Sequence, residues 1–578
     1  MRAFVLTLAV LAGGATAQQA TDAVAPEAGN FLVQDVRAPV QAKEWMVVAA
    51  HPLASKAGAR VLREGGTAAD AMIAVQLVLG LVEPQSSGLG GGAFLVWYDA
   101  ASGELTTLDA RETAPVSATP LLFLNDEGQP LEFMQAVVGG RSVGVPGTPM
   151  LLAEAHARWG RLDWPDLFTE ARQHAKEGFE VSPRMSASIA ANADTLDRYP
   201  ATRDYFFPEG RILKAGALLK NPAYAQTLDI FASDGPEPFY TGEIARQVTR
   251  AVQAAEDNLG ALSAMDMALY SVKERAAVCA PYRTLEVCGM GPPSSGAIAV
   301  GQILGTLEGY DLAALGPADA EARRLIGDAT RLAFADRGRY VADSDYVPVP
   351  VDGLLAPAYL RTRAELLDRS DALPEVEAGA PEFDHALLWG DDDAIDLPST
   401  SHISIVDSYG NALSMTTTIE NAFGSNIMAA GFLLNNELTD FSFASHEGGR
   451  PVANRVEPGK RPRSSMAPTI VMKDGAPVLV LGSPGGSQII SYVANALIGY
   501  VDWRMDVQQM VAMPHLTNRF GTYELEEGTQ AEALADPLRD MGFEVDLRGL
   551  NSGLHAIAIG DGLQGGADPR REGLAIGE

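Results

Sequence analysis

Ser399-Thr400-Ser401-His402-Ile403-Ser404-Ile405-Val406-Asp407 is followed by Ser408-Tyr409-Gly410 and then by Asn411-Ala412-Leu413-Ser414-Met415-Thr416-Thr417-Thr418-Ile419. Residues 401–407 alternate as a strand does, with Ser401, Ile403 and Ile405 on one face and His402, Ser404 and Val406 on the other. Residues 411–419 are rich in β-branched side chains and read as a second strand. Gly410 can take the positive φ that a three-residue hairpin loop with a bulge requires. That register pairs Asp407 with Asn411, and counting back along both strands sets Thr400 opposite Thr418. Two hydroxyls so opposed can hydrogen-bond across the ladder. A slip of one residue would put Ile419 there instead.

Cutting the Ser399–Thr400 bond would give Thr400 a free α-amine, with an ordinary pKa of about 7.7–8.0. An amine beside its own hydroxyl can act as that hydroxyl's general base, which is the N-terminal nucleophile arrangement. The hairpin alone does not separate this from an ordinary strand threonine. What precedes Thr400 is acidic and lacks periodicity: residues 371–399 include Asp391-Asp392-Asp393 and read as a solvated linker.

Further out, residues 46–50 read as a buried strand, and 52–62 and 67–82 carry helical apolar spacing on either side of Gly65-Gly66. The apolar run 71–82 is too short to span a bilayer and reads as a buried helix. Residues 93–98 form a strand after a glycine run, and 150–270 are mostly helical. Strands return near Val278 and helices over 318–336. At the start, Met1-Arg2, an apolar run over 3–12 and Ala15-Thr16-Ala17 have the layout of a secretory signal peptide over 1–17, cleaved before Gln18. The protein is therefore expected to be exported, to a periplasm or the medium.

Export bears on the only two cysteines. Cys279 and Cys288 would face each other in a hairpin turning near Arg283-Thr284, and an oxidising compartment would let them bridge. Two inert buried thiols are the alternative. The chain has 578 residues with 43 basic and 74 acidic side chains, a net charge of -31, and is 47% hydrophobic. That composition supplies a core and excludes a disordered chain, a collagen and a coiled coil. The negative charge disfavours nucleic acid and anionic membrane surfaces as partners. The eight histidines show no metal-ligand spacing, so neither metal nor cofactor is expected.

Several separated motifs resemble the γ-glutamyltranspeptidase family over nearly the whole mature length. They are Leu108-Asp109-Ala110-Arg111-Glu112-Thr113-Ala114-Pro115, Gly291-Pro292-Pro293-Ser294-Ser295-Gly296, the Thr400 to Asp407 stretch, Leu433-Leu434-Asn435-Asn436-Glu437-Leu438-Thr439-Asp440-Phe441-Ser442, Lys460-Arg461-Pro462-Arg463-Ser464-Ser465-Met466-Ala467-Pro468-Thr469 and Gly482-Ser483-Pro484-Gly485-Gly486-Ser487. The resemblance implies an N-terminal nucleophile hydrolase, an α+β fold in a four-layer αββα sandwich. It implies self-cleavage between Ser399 and Thr400 into a large subunit, 18–399, and a small one, 400–578. Thr400 then forms a γ-glutamyl ester that water or an amine acceptor resolves, with Thr418 orienting it. Arg111, Ser464 and Ser465 match the family's α-carboxylate site, and Glu420, Glu437 and Asp440 the α-ammonium site. Gly485 and Gly486 match the oxyanion hole. Here local physics agrees: a strand over 478–481, a glycine loop and a helix over 488–498 present free N–H groups to an anion. No lysine follows the glycines, which excludes a phosphate loop.

Two departures stand out. Glu420 occupies a position where the resembling family carries asparagine, so three carboxylates would surround one ammonium and repel. Residues 443–463 are short and lack tyrosine, which predicts a more open site. The rival readings are a glutaryl or cephalosporin-type acylase of the same superfamily and a non-enzymatic exported binding protein that keeps the fold.

Overall fold

A computed structural model describes residues 38–578 apart from 257, 386, 387, 393 and 395–398. The expected signal peptide over 1–17 lies outside the described residues. Two seven-stranded antiparallel sheets form the centre. One runs Leu574–Gly577, Met46–Ala49, Ser401–Val406, Ala412–Thr418, Gly92–Tyr98, Leu105–Ala110, Lys273–Arg275. The other runs Val40–Ala42, Leu563–Ala567, His555–Ile559, Ala476–Gly482, Thr469–Lys473, Leu285–Gly289, Val278–Tyr282.

The sheets face each other across Met46, Val48, Val96, Val406, Ile470, Val480 and Ile557. On the outer face of the first sheet, Ile403, Ile405, Leu413 and Met415 join one core with residues of the helices Pro52–Arg63 and Ala68–Val82. On the outer face of the second, Val471, Leu479 and Leu481 join another with residues of Gly296–Thr306, Ala320–Tyr340 and Ile489–Val501. This is the αββα sandwich. The Ser401–Val406 strand has helices on one side and a sheet on the other, so every residue in it is buried, polar ones included.

The hairpin forms in the expected register, from Ser401 opposite Thr417 to Val406 opposite Ala412. Gly410 closes the turn at φ 86°. Asp407 ends the strand with its carboxylate accepting from the backbone N–H groups of Tyr409 and Asn411, both at 3.0 Å, and of Ala68 at 2.8 Å. Ala68 opens the Ala68–Val82 helix, so Asp407 supplies an anion to a helix N-terminus that Thr67 and Asp70 already cap reciprocally. That helix is buried along its length except at Gly80. Cys279 and Cys288 lie opposite each other on paired strands and are bonded.

Some of the described residues in 371–399 are anchored to the body of the protein. Leu373 and Trp389 are buried, and Asp391 and Asp392 pair with Arg339 and Arg463. Two arginines from distant elements give these acids partners that composition alone does not reveal.

Candidate active site

The register gathers the site at one end of the first sheet. Thr418 lies opposite Gly92, and Ala93 opposite Ala110, so Arg111 emerges beside the end of the hairpin. Thr400 directly precedes the Ser401–Val406 strand. Its Oγ1 donates to Thr418 Oγ1 at 3.1 Å, as the hairpin count requires. Thr418 Oγ1 in turn accepts from the Glu420 backbone N–H at 2.8 Å. Thr400 has φ 113°, in the region that favours glycine. For a β-branched residue this costs about 1–3 kcal/mol and persists only where the surroundings over-determine it. The Arg571 guanidinium donates to the Thr400 carbonyl at 2.8 Å, and the Ser399 hydroxyl donates to Gln85 O at 2.9 Å.

The opposing sheet supplies the glycine loop. After the Ala476–Gly482 strand, Gly485 (φ 133°) and Gly486 (φ 56°) turn the chain into a short 3-10 stretch and the Ile489–Val501 helix. The Gly485 N–H points at the Ser399 carbonyl, with N and O 3.4 Å apart. A backbone donor thus already addresses the carbonyl of the Ser399–Thr400 bond.

Arg111, Thr400, Thr418, Glu420, Glu437, Asp440, Ser464, Ser465 and Gly486 all line one cavity, of about 20 Å³. That admits about one water molecule while the charged side chains pair with one another. The space between these side chains is narrow. The reason is electrostatic. Arg111 donates to Glu437 and Asp440 together, and two further N–H groups donate to Arg463 O at 2.8 Å and Pro462 O at 3.2 Å. All three charged side chains are buried, and the ion pairs draw the walls together. The 443–463 segment adds packing: Phe443 stacks on Phe123, while the small hairpin of His446–Glu447 and Arg450–Pro451 stays largely exposed.

The other expected residues are placed as follows. Glu420 is buried at φ 76° and accepts from the Asn436 side chain. Ser464 Oγ accepts from Met466 N–H at 3.1 Å, and Ser465 Oγ from Arg337 at 2.8 Å. Arg571 and Glu112 were missed. No local pattern marks Arg571, 171 residues from Thr400. Glu112 sat inside a quoted motif without a role. It is fully buried, and neither carboxyl oxygen has a hydrogen-bond partner. Burial pushes its carboxyl up to about 8, partly offset by the neighbouring Arg111 charge. Among the described residues no group of three or more His, Cys, Asp or Glu side chains is arranged to hold a metal ion. No described helix is long and apolar enough to cross a membrane.

The sequence profile described as Gamma-glutamyltranspeptidase matches residues 54–578. The glutathione hydrolase proenzyme of Bacillus subtilis (strain 168) is 36% identical over 548 residues, covering 93% of this chain and 92% of that one. The glutathione hydrolase proenzyme of Escherichia coli (strain K12) is 34% identical over 579 residues, covering 98% and 97%. Among solved structures, the cephalosporin acylase from Bacillus halodurans superposes with a TM-score of 0.83 at 26% identity, over 94% of this chain and 97% of the acylase.

Proposed function

The chain belongs to the γ-glutamyltranspeptidase family, and from that premise we propose that it is an exported, self-cleaving γ-glutamyl hydrolase and transferase acting on glutathione and other γ-glutamyl compounds. The observation that carries this reading is the ion-pair group beside Thr400. A γ-glutamyl donor ends in an α-carboxylate and an α-ammonium. The carboxylate takes Arg111 in a forked contact, with donors from Ser464 and Ser465. The ammonium takes Glu437 and Asp440, with Glu420 beside them. Such a zwitterion inserts into charge pairs already present, and every buried charge exchanges one partner for another. A glutaryl donor brings only the carboxylate, which would occupy Arg111 and strand two buried acids.

Maturation comes first. Thr400 Oγ1 attacks the Ser399 carbonyl while Gly485 N–H stabilises the developing oxyanion. The C–N bond breaks, the acyl group moves to oxygen, and water opens the ester. The products are Ser399 as a carboxylate and Thr400 with a free amine, ending a large subunit of residues 18–399 and beginning a small one at 400. The strained φ at Thr400 is released by the same step. In turnover the amine takes the Oγ1 proton, and the oxygen attacks the γ-carbonyl with Thr418 holding its direction. Gly485 and Gly486 receive the oxyanion, and the leaving amine departs with the proton. Water then gives glutamate, or an amino-acid or peptide amine gives transfer. The Cys279–Cys288 bond supports export to an oxidising compartment, periplasm or medium.

A second reading, an acylase for glutaryl or related amides, is favoured by the likeness to the cephalosporin acylase. Comparing γ-glutamyl-p-nitroanilide with glutaryl-p-nitroanilide separates the two. The γ-glutamyl compound is expected to have the higher kcat/KM by at least roughly 100-fold. The reverse preference would establish the acylase instead.

A further inference from the structure

The acidic stretch before Thr400 reaches the substrate pocket through one buried side chain. Asp392 Oδ2 accepts from Arg463 at 2.6 Å and from the Asn454 amide at 3.0 Å, with both charged side chains inaccessible to solvent. Its Oδ1 accepts from Ala394 N–H at 2.9 Å, and its own N–H donates to Gly338 O at 3.2 Å. Asn454 Nδ2 also donates to the Asp440 carbonyl at 2.8 Å, and Asn454 Oδ1 accepts from Arg463 N–H at 2.9 Å. The Arg463 carbonyl then accepts from Arg111 at 2.8 Å. Two short paths thus join Asp392 to the pocket, one to Arg111 and one to Asp440. Neighbouring contacts hold the same stretch: Gly390 N–H donates to Pro451 O at 2.9 Å, Trp389 is buried, and Asp391 pairs with Arg339 through two hydrogen bonds at 2.7 and 2.9 Å.

We propose that Asp392 is a positioning residue: after scission the end of the large subunit stays docked through Asp392, and by way of Arg463 and Asn454 it keeps Arg111 and Asp440 in register for the donor's α-amino and α-carboxylate groups. This rests on the functional reading above. The physical reason is that Arg463 is a buried cation whose charge Asp392 balances. Losing that balance moves the Arg463 backbone, whose carbonyl anchors Arg111. Scission at Ser399 frees a chain end seven residues further on but leaves this contact group intact.

The test uses the full chain after self-processing. Asp392→Asn is expected to raise KM for γ-glutamyl-p-nitroanilide about tenfold with kcat changed less than about twofold, and Asp392→Glu to recover most of the loss. A distortion of the fold in general would lower kcat and the unfolding temperature together, without that split or that rescue. In parallel, carboxypeptidase treatment of the wild-type enzyme, followed by mass spectrometry of the large subunit, is expected to stop trimming before Asp392. The Asp392→Asn protein is expected to be trimmed past that point. Trimming of the wild type through residues 389–394 with unchanged KM would overturn the proposal, as would wild-type kinetics in Asp392→Asn. If Asp392→Asn fails to fold, the trimming of the wild type decides alone. A wild type that is cut but inactive on the anilide removes the functional reading and leaves the trimming result to judge this one. An uncut chain removes both.

Discussion

Glu420 and Glu112 are both buried carboxyls near Arg111, and they have opposite surroundings. Glu420 lines the cavity, accepts from Asn436, and adds a third acid to a group with a single guanidinium. Replacing it with asparagine removes a repulsion and keeps a hydrogen-bonding end. Glu420→Asn is therefore predicted to lower KM for γ-glutamyl-p-nitroanilide several-fold, and an unchanged KM would remove Glu420 from donor recognition. Glu112 has no such partner. Its carboxyl is pushed from 4.5 up to about 8. A raised folded-state value stabilises the protein fully below the unfolded value and is lost as pH rises through the folded one. Glu112→Gln cannot ionise, so its melting temperature is predicted to exceed the wild type's at pH 9, with the gap closing toward pH 5. A gap independent of pH would mean that Glu112 is not neutral in the fold.

Among elements, the glycine loop after the Ala476–Gly482 strand tolerates added side chains poorly. A Cβ on Gly485 would lie 2.8 Å from the Tyr492 ring, at a φ of 133° that side chains rarely adopt. Gly485→Ala is predicted to lower kcat by roughly 10²–10³-fold, the scale for losing one oxyanion donor, and to slow self-cleavage as well. Normal scission with impaired turnover would show that maturation uses a different donor. The hairpin before this loop was legible in the sequence because period-two alternation, a Gly410 turn and β-branched strands all agree on one register. The strand–loop–helix at 476–501 was legible for similar local reasons. The Asp392–Arg463 pair was not, because an acidic run reads as solvated until a partner 71 residues away folds onto it. Arg571 escaped for the same reason, since its contact with Thr400 belongs to the assembled sandwich. The narrowness of the cavity was also hidden. Arg111, Glu437 and Asp440 were each identified, yet only the packed structure shows that they pair with one another.

At the scale of the whole molecule, the αββα sandwich brings two sheets together so that a threonine from one meets a glycine loop from the other. The Cys279–Cys288 hairpin sits on the edge strand of the second sheet, three strands from Ala476–Gly482. A crosslink over so short a loop restrains the unfolded chain by about 2–3 kcal/mol. Reduction is predicted to lower the unfolding midpoint while leaving kcat/KM unchanged. Lost activity at temperatures where the reduced protein stays folded would tie that edge to the site. The central claim is that backbone scission creates the catalytic amine at Thr400. Intact-mass and N-terminal analysis of purified protein tests it most directly, alongside assay on γ-glutamyl-p-nitroanilide. Two fragments are predicted, the smaller beginning at Thr400, with activity appearing in step with the cut and neither seen in Thr400→Ala. An unbroken chain that hydrolyses the anilide at full rate would contradict the account, and an unbroken, inactive chain would point to the binding protein instead.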